Sequence, residues 1–208
     1  MIFDMTKRKS GGGGGGGGTH DLPTGYTEYE YLEATGTQYI NTGYVPNADT
    51  EVRYISERTA SQSYSAADWG VTPTPKAVIA GAYWSWGSAV DKTNNTVFNP
   101  DWPWGPMQVR VNIEGVYNPL GTKAINFETV TWTSGDLPIF LMARNNNGSV
   151  DRKCKVRIYY WAAFENNTKM IELIPAMRKS DSVLGMYETV SGSFLTNAGT
   201  GTFVGGAF

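Results

Sequence analysis

The sequence predicts an all-β fold, an antiparallel sandwich or barrel, and three observations support this prediction. Residues 107–114 alternate strictly between apolar and polar side chains, which is the period of a half-buried strand. About ten further short apolar segments are separated by turn formers such as Asn145-Asn146-Asn147-Gly148 and Asn166-Asn167. No segment sustains the spacing of an amphipathic helix, and many short strands without intervening helices are typical of antiparallel sheets.

The candidate strands occur along the whole chain after Leu22. In order they are "EYEYLEA", "TQYINTGY", "TEVRYIS", "KAVIAGAYW", "MQVRVNIEG", "KAINFETVTW", "PIFLMAR", "KVRIYYWAAF", "KMIELIPA", "LGMYE" and "GTFVGG". In "KVRIYYWAAF" the period of two predicts one face with Val156, Ile158, Tyr160, Ala162 and Phe164, and another with Lys155, Arg157, Tyr159 and Trp161. Near the end, Gly199 and Gly201 allow a positive φ or a close backbone approach, so we expect the last strand to return beside the first.

The chain divides at a run of glycines. Residues 11–18 are all glycine and follow the basic cluster Lys7, Arg8 and Lys9. Consecutive glycines bury no side chain and lose the most backbone entropy on ordering, which favours a flexible linker. A run that threads a channel too narrow for side chains is the open alternative. We assign residues 1–21 to an N-terminal anchor peptide and linker, and residues 22–208 to one β domain, a size that all-β domains reach.

Composition and charge exclude several classes of function. Lys and Arg number 17 and Asp and Glu 19, a net charge of -2, which provides no overall positive field for nucleic acid. The chain has one cysteine, Cys154, and one histidine, His20, which excludes an internal disulfide, most Cys/His metal sites and a serine–histidine triad in the β domain. No apolar run approaches the roughly 18 residues of a membrane span, and the N-terminus lacks the apolar core of an export signal. We therefore expect a soluble, uncleaved chain.

Four stretches in the order of the chain together resemble laminin-G-like modules of the concanavalin A-like lectin/glucanase superfamily. They are "YEYLEATGTQYINTGY", "LPIFLMARNNNGSV", "KVRIYYWAAFENNTKMIELIPAMR" and "GMYETVSGSFLTNAGTGTF". The resemblance spans Tyr26 to Gly206 and is weaker between Asp49 and Pro106. It implies an antiparallel jelly-roll β-sandwich, concanavalin A-like, here with a Gly-rich N-terminal extension. Modules of this kind are met in phage structural proteins and bacterial surface proteins.

The resemblance also raises the question of catalysis. Glucanases of the superfamily share an acidic motif, Glu-x-Asp-x-x-Glu, which supplies a nucleophile and a general acid, and a retaining pair of carboxyl groups lies about 5 to 5.5 Å apart. No Glu in this chain is followed two positions later by Asp, although Glu28, Glu30 and Glu33 imitate the spacing. These three lie in the first strand that the resemblance implies. We therefore favour a solvated strand over a catalytic triplet and predict no enzyme activity.

Tryptophans supply the candidate ligand-binding residues. The segments Trp84-Ser85-Trp86 and Trp102-Pro103-Trp104 are Trp-x-Trp pairs, and both rings of such a pair point to the same side of an extended chain. A flat apolar platform of this kind suits a sugar ring. The polar residues near these pairs that suit sugar hydroxyls are Asp91, Asn94, Asn95 and Asp101. Two other environments stay open for the rings: the interior of the fold, where Trp is buried on average, and a protein interface.

The sequence predicts no cofactor and no metal. The superfamily includes modules that bind Ca²⁺ through carboxylate, amide and carbonyl oxygens. The candidate ligands Asp68, Asp91, Asp101 and Asp151 are scattered singly, without a spaced ligand loop. A calcium site is therefore not predicted from a motif.

We expect a non-catalytic module for recognition or decoration of a larger assembly, a phage virion being the favoured context, as a capsid fibre or a tail-associated part. Its partners would be other virion proteins, bound through the N-terminus, and a cell-surface glycan, with the chain present in many copies or as a homo-oligomer and without nucleic acid or membrane. The anchoring side chains would be Ile2, Phe3, Met5, Lys7, Arg8 and Lys9. Alternatives are a glycoside hydrolase on the same fold, a purely structural virion protein, and a location at the bacterial surface or outside the cell.

Overall fold

The computed structural model describes residues 20–60, 66–80, 83–91, 106–118, 120–127 and 129–208. Within these ranges the predicted all-β character is confirmed: the chain has nineteen strands and no helix, hence none that is long and apolar enough to cross a membrane. In chain order the strands are β1 Tyr26–Glu28, β2 Tyr31–Thr35, β3 Ile40–Asn41, β4 Thr50–Arg58, β5 Ala67–Thr72, β6 Ala77–Ala80, β7 Tyr83–Trp86, β8 Ala89–Asp91, β9 Met107–Asn112, β10 Gly115–Tyr117, β11 Lys123–Asn126, β12 Phe140–Leu141, β13 Arg144–Asn146, β14 Ser149–Asp151, β15 Lys155–Glu165, β16 Thr168–Arg178, β17 Val183–Glu188, β18 Phe194–Leu195 and β19 Val204–Gly206.

The larger of two sheets has eleven strands, and all of its strand pairs are antiparallel. Its main path runs β11-β10-β9-β4-β15-β16-β17-β18. On one side β15 pairs with β4 along its whole length, and on the other its first half pairs with β2 and its second half with β16. The sheet therefore divides beside the middle of β15.

The smaller sheet has eight strands in the order β14-β13-β5-β6-β7-β8, and β12 pairs with both β3 and β5. Strands β5 and β13 run parallel, with Asn145 opposite Val71, whereas the other pairs are antiparallel. The chain turns between β12 and β13 at Met142, whose φ is 64°. The expectation of a wholly antiparallel fold was wrong at this pair, because a non-glycine residue with positive φ is uncommon and carries no sequence signal.

One hydrophobic core lies between the two sheets. It joins side chains of the larger sheet, such as Val109 and Trp161, with side chains of the smaller sheet, such as Trp69 and Leu141. The rings of Tyr54 and Trp69, from opposite sheets, meet edge to face with their centroids 5.7 Å apart. The architecture is thus sandwich-like, and the jelly-roll order of connections implied by the resemblance stays a prediction.

The clearest predicted strand is confirmed in β9. Met107, Val109 and Val111 are buried in the core, and the residues between them are partly exposed. Ile113, predicted on the same face, follows the strand in a turn and packs against the core. The segment "KAVIAGAYW", predicted as one strand, contributes instead to the two paired strands β6 and β7.

Strand β15 departs from strict alternation at Tyr159. Ile158 lies opposite Ser56 of β4, while Tyr160 lies opposite Ile55, the next residue of β4. Strand β15 therefore has one extra residue, Tyr159, between two consecutive partners. Such a β-bulge interrupts the period of two in the strand that contains it.

The bulge exchanges the two faces of β15. Val156 shares the core between the sheets with Trp161 and Ala163, whereas Tyr160 and Ala162 belong to a second cluster on the other side of the strand. The predicted grouping of Val156 with Tyr160 and Ala162 was therefore wrong. A strict count of two residues per repeat cannot detect an inserted residue.

The end of the chain closes the larger sheet as the glycines predict. Strand β19 pairs with β2, with Val204 opposite Glu33. Gly201 has a φ of 74°, and a side chain at Gly199 would collide with the backbone oxygen of Thr37. These two positions therefore require glycine for different reasons, a left-handed conformation and a close backbone approach.

Candidate functional site

The structure places Trp86 in the core. Its side chain is 0% exposed, and its ring lies edge-on to that of Trp69, with centroids 6.3 Å apart, and 5.7 Å from the ring of Trp132. The prediction of an exposed platform was therefore wrong for Trp86, and the interior environment is the one observed. In β7 this residue lies opposite Ala77, whose small buried side chain leaves space for an inward-facing indole.

The other predicted ligand-binding residues fall at or beyond the limits of the described ranges. Trp84 and Asp91 lie opposite each other in the β7–β8 pair, so the backbone brings these two predicted residues together. Asn94, Asp101, Trp102 and Trp104 lie outside the described residues, as do the predicted anchor residues Ile2, Phe3, Met5, Lys7, Arg8 and Lys9.

The carboxylates of the imitated acidic motif have separate partners. Glu28 in β1 accepts a hydrogen bond from the backbone N–H of His20 at 2.8 Å and lies 2.9 Å from its ring Nδ1. Glu33 in β2 accepts a hydrogen bond from Nε of Arg157 at 2.7 Å. These two strands pair with different halves of the larger sheet, β1 with β16 and β2 with β15. These carboxylates therefore make structural contacts, and their side chains are only 7% and 17% exposed.

We call the side of the larger sheet that is turned away from the core the outer face. It carries a second cluster of apolar side chains, formed by Ile55, Tyr159, Tyr160, Ala162 and Ile174, against which Leu22, Tyr31 and Phe164 pack. Leu22 belongs to the segment before β1, so the chain enters the β domain across this face. Of the aromatic residues predicted together on one face of β15, Tyr159 belongs to this cluster and Trp161 does not, because the bulge replaces it with Tyr160.

Arginine side chains lie over the aromatic rings of the outer face. The guanidinium carbons of Arg53, Arg110 and Arg157 lie 4.2, 3.8 and 4.4 Å from the ring centroids of Phe164, Tyr117 and Tyr31, respectively. Each arginine side chain is about one-third exposed, at 35%, 36% and 32%. Cation–π contacts of this kind hold a guanidinium plane in one orientation while its edges stay accessible to water.

Glutamates fix the arginines from the side. Arg157 donates from Nε to Glu33 at 2.7 Å and from a terminal nitrogen to Glu57 at 3.3 Å. The hydroxyl of Tyr159 also donates to Glu57, at 2.6 Å. Hydrogen bonding to Glu33 outweighs burial and raises the pKa of Arg157. The outer face therefore presents charged groups that are held by neighbouring side chains.

Two buried glutamates beside the outer face were not predicted from the sequence. Glu172 accepts hydrogen bonds from Lys169 at 2.6 Å, from the Thr189 hydroxyl at 2.6 Å and from the Tyr160 hydroxyl at 3.0 Å. Burial opposes its ionisation, but these donors together outweigh burial and lower its pKa. The sequence signal is weak, because the donors come from β15, from β16 and from the turn after β17.

Backbone N–H groups stabilise the charged form of Glu188. It accepts hydrogen bonds from the N–H groups of Val190 at 2.7 Å and Ser191 at 2.6 Å, in the turn that follows β17. Burial opposes ionisation here too, but donors that include these N–H groups and the Ser191 side chain lower the pKa of Glu188. The charged form of both glutamate side chains therefore stabilises the folded state.

We expect acid to destabilise the domain through these carboxylates. A group whose pKa is lower in the folded state than its ordinary 4.5 stabilises the fold above that value and loses this contribution as the pH falls through the folded pKa. The melting temperature should fall between about pH 5 and pH 2. Glu188→Gln should lower it at neutral pH and make it less dependent on pH. Asp21→Asn, at an exposed residue, is the control and should leave the melting temperature unchanged. Equal pH dependence in wild type and Glu188→Gln would contradict a stabilising role for the Glu188 carboxylate.

A buried ion pair lies at the edge of the core. Asp68 is 0% exposed, and its Oδ1 lies 2.6 Å from a terminal nitrogen of Arg58 and 2.8 Å from Arg58 Nε. Its Oδ2 accepts a hydrogen bond from Ser56 at 3.2 Å, and the Cys154 thiol lies 3.5 Å from Oδ1. Asp68 was a candidate calcium ligand, but its oxygens are engaged by these partners. Among the described residues no group of three or more His, Cys, Asp or Glu side chains could hold a metal ion.

The geometry defines a class of protein: an all-β module with two sheets on one core and an ordered aromatic and charged outer face. Comparison with family models, with curated proteins and with solved structures finds no match to this chain. The function therefore has to be inferred from the residues themselves.

Proposed function

We propose that the chain is a non-catalytic recognition or decoration module of a larger assembly. In this proposal residues 22–208 form a concanavalin A-like jelly-roll domain, and the favoured assembly is a phage virion. The observation that carries the proposal is the outer face, where Arg53, Arg110 and Arg157 are held on aromatic rings and by glutamates. Binding surfaces benefit from such fixed groups, because little side-chain entropy is lost when a ligand binds.

The carboxyl groups support binding over hydrolysis. A glycosidase needs a general acid whose pKa is raised, so that it is still protonated near neutral pH. Five carboxyl groups of the described residues have a pKa below its ordinary value, the opposite of what a general acid needs; they are Glu114, Asp151, Glu172, Asp181 and Glu188. Release of reducing ends from β-glucans, host capsule or peptidoglycan by the purified chain would instead support the glycoside hydrolase alternative.

The proposed ligand is a cell-surface glycan. Trp84 and Asp91, opposite each other in β7 and β8, remain candidates for stacking and for hydroxyl binding, together with Trp102, Trp104, Asn94 and Asp101. Trp86 is withdrawn from this set, because its buried ring is part of the core. The outer face adds exposed guanidinium edges, which were not candidates from the sequence.

Attachment would depend on the N-terminal peptide. Ile2, Phe3 and Met5 would be buried against an assembly protein, since ten residues are too few to form a core alone. The first described contacts support an ordered junction, because Glu28 binds His20 and Leu22 packs on the outer face. The linker would then join the domain on the side of its larger sheet.

Deleting Ile2 to Ser10 tests the attachment. The truncated chain should keep the melting temperature of the full chain but should no longer co-sediment with particles when both are produced in the natural host. Removing four glycines from residues 11–18 is the matched control, because it shortens the linker and leaves the anchor side chains intact. That control should still co-sediment, whereas a truncated chain that assembles as efficiently as the full chain would contradict the proposal.

A further inference from the structure

Two arginines of the outer face share one carboxylate. Glu51 accepts from Arg53 Nε at 2.7 Å through one oxygen, and from a terminal nitrogen of Arg110 at 3.0 Å through the other. Asn112 also donates to the second oxygen, at 3.4 Å. Arg53 and Arg110 lie directly opposite each other on β4 and β9. Since both oxygens of Glu51 are already engaged, the pair carries one positive charge that Glu51 does not neutralise.

The stacked arginines elsewhere on this sheet have no such excess. Arg157 contacts two carboxylates, Glu33 and Glu57, and Arg178, stacked on Phe194, has Asp181 to itself. At the Arg53–Arg110 pair, by contrast, cations outnumber carboxylates even when the neighbouring charged residues are counted.

Among the described residues, two ion pairs neighbour the arginines: Lys123 with Glu114, 3.9 Å apart, and Lys169 with Glu172, 2.6 Å apart, where Lys169 lies opposite the Phe164 that contacts Arg53. With these ion pairs included, the four cations Arg53, Arg110, Lys123 and Lys169 stand against the three carboxylates Glu51, Glu114 and Glu172. One positive charge is still in excess. The local field of this part of the outer face is therefore positive, although the whole chain has a net charge of -2.

The pair also has donors to offer. Within the described part of the chain, the polar contacts of Arg110 involve one terminal nitrogen, which leaves its Nε and its other terminal nitrogen available. Those two nitrogens form the side of the guanidinium that matches a carboxylate or sulfate oxygen pair. Stacking on Tyr117 at 3.8 Å holds the guanidinium plane in place. The site is therefore preorganised for an oxyanion.

We infer that Arg53 and Arg110 bind the carboxylate or sulfate group of an acidic glycan. The inference rests on the proposed function as a recognition module and specifies its ligand class. A glycan fits better than an acidic peptide because β4 and β9 each pair with a strand on both sides, so no open edge is available for strand addition. The amide of Asn112, beside the pair, suits a sugar hydroxyl.

Calorimetric titration of the full chain with three oligosaccharides tests the inference: an oligogalacturonate, a sulfated galactan fragment and a neutral galactan fragment. One or both acidic ligands should bind, more weakly as salt is raised, and the neutral one should bind at least about tenfold more weakly. Arg110→Gln should weaken acidic binding about tenfold or more. Arg178→Gln, at a stacked arginine with its own carboxylate, is the matched control and should leave binding unchanged.

Each other result overturns the inference. These results are equal affinity for the neutral ligand, tighter binding of poly-glutamate than of either acidic glycan, no binding of any acidic glycan, or equal effects of Arg110→Gln and Arg178→Gln. Arg110→Lys keeps the positive charge but loses the paired guanidinium nitrogens, so it should bind acidic ligands more strongly than Arg110→Gln and more weakly than the wild type. This graded order would show that weak binding by Arg110→Gln is not caused by misfolding. If acidic glycans do not bind while deletion of the N-terminal peptide still abolishes co-sedimentation, this inference fails and the proposed function stands.

Discussion

Asp68→Ala is expected to lower the free energy of unfolding by about 3 to 5 kcal/mol, because it removes a buried carboxylate that contacts two nitrogens of the Arg58 guanidinium. The side chain of Arg58 is 11% exposed and that of Asp68 0%, so water cannot replace the lost carboxylate without opening the fold. The hydroxyl of Ser56 would lose its acceptor as well. Urea unfolding followed by tryptophan fluorescence measures the loss.

Two further variants separate the buried charge from its surroundings. Asp181→Ala removes the carboxylate of an exposed pair with Arg178 and should change stability little, since water screens that interaction. Arg58→Met combined with Asp68→Leu removes both charges and should recover much of the loss, because an apolar pair carries no uncompensated charge. An Asp68→Ala protein as stable as wild type would show that the buried pair is not required for the fold.

Trp161→Ala is expected to cost a similar amount, about 3 to 5 kcal/mol, through the cavity that it leaves between the sheets. Trp161 is 0% exposed, and it lies at the centre of β15, between β4 and β16. Its ring meets that of Trp69 from the smaller sheet at 6.2 Å and that of Tyr44 at 6.4 Å. Removing it therefore breaks its contacts with the smaller sheet and with the segment between β3 and β4.

The size of the effect should follow the volume removed. Trp161→Phe keeps most of the ring contact and should cost clearly less than Trp161→Ala. Leu120→Ala, at a side chain that is 82% exposed, should change the stability by no more than about 0.5 kcal/mol. Equal losses for Trp161→Ala and Leu120→Ala in urea unfolding would contradict the placement of Trp161 in a shared core.

Several local features could be predicted because they depend on neighbours in the sequence. The alternation of β9 is confirmed residue by residue in its burial. The turn formers Asn166 and Asn167 both adopt positive φ, 48° and 64°, in the tight turn that joins β15 to β16. Asparagine tolerates this conformation, so the residue type itself indicates the turn. Only the last part of "NNNG", Asn147 and Gly148, forms the corresponding turn between β13 and β14.

The candidate site could be predicted only in part. Strict alternation predicts Tyr160 on the same face of β15 as Val156 and Trp161 on the opposite face, but the extra residue Tyr159 places Trp161 in the core with Val156 and Tyr160 on the outer face. The pair Arg53 and Arg110 could not be found, because the register between β4 and β9 depends on strands separated by some fifty residues in the chain. Trp86 was equally ambiguous, since exposed and buried indoles occur in the same sequence pattern.

Alternation, asparagine and glycine act through the local backbone, so the residues alone predict a protein of β-strands, the turn at Asn166 and Asn167, and a last strand that returns beside β2. Long-range packing fixes which face of β15 is buried, the parallel pairing of β5 with β13, the burial of Trp86 and the sharing of Glu51 by two arginines. Each of these depends on which distant strand lies alongside and on how two sheets fill one core. Such contacts between distant residues leave no periodic trace in the sequence.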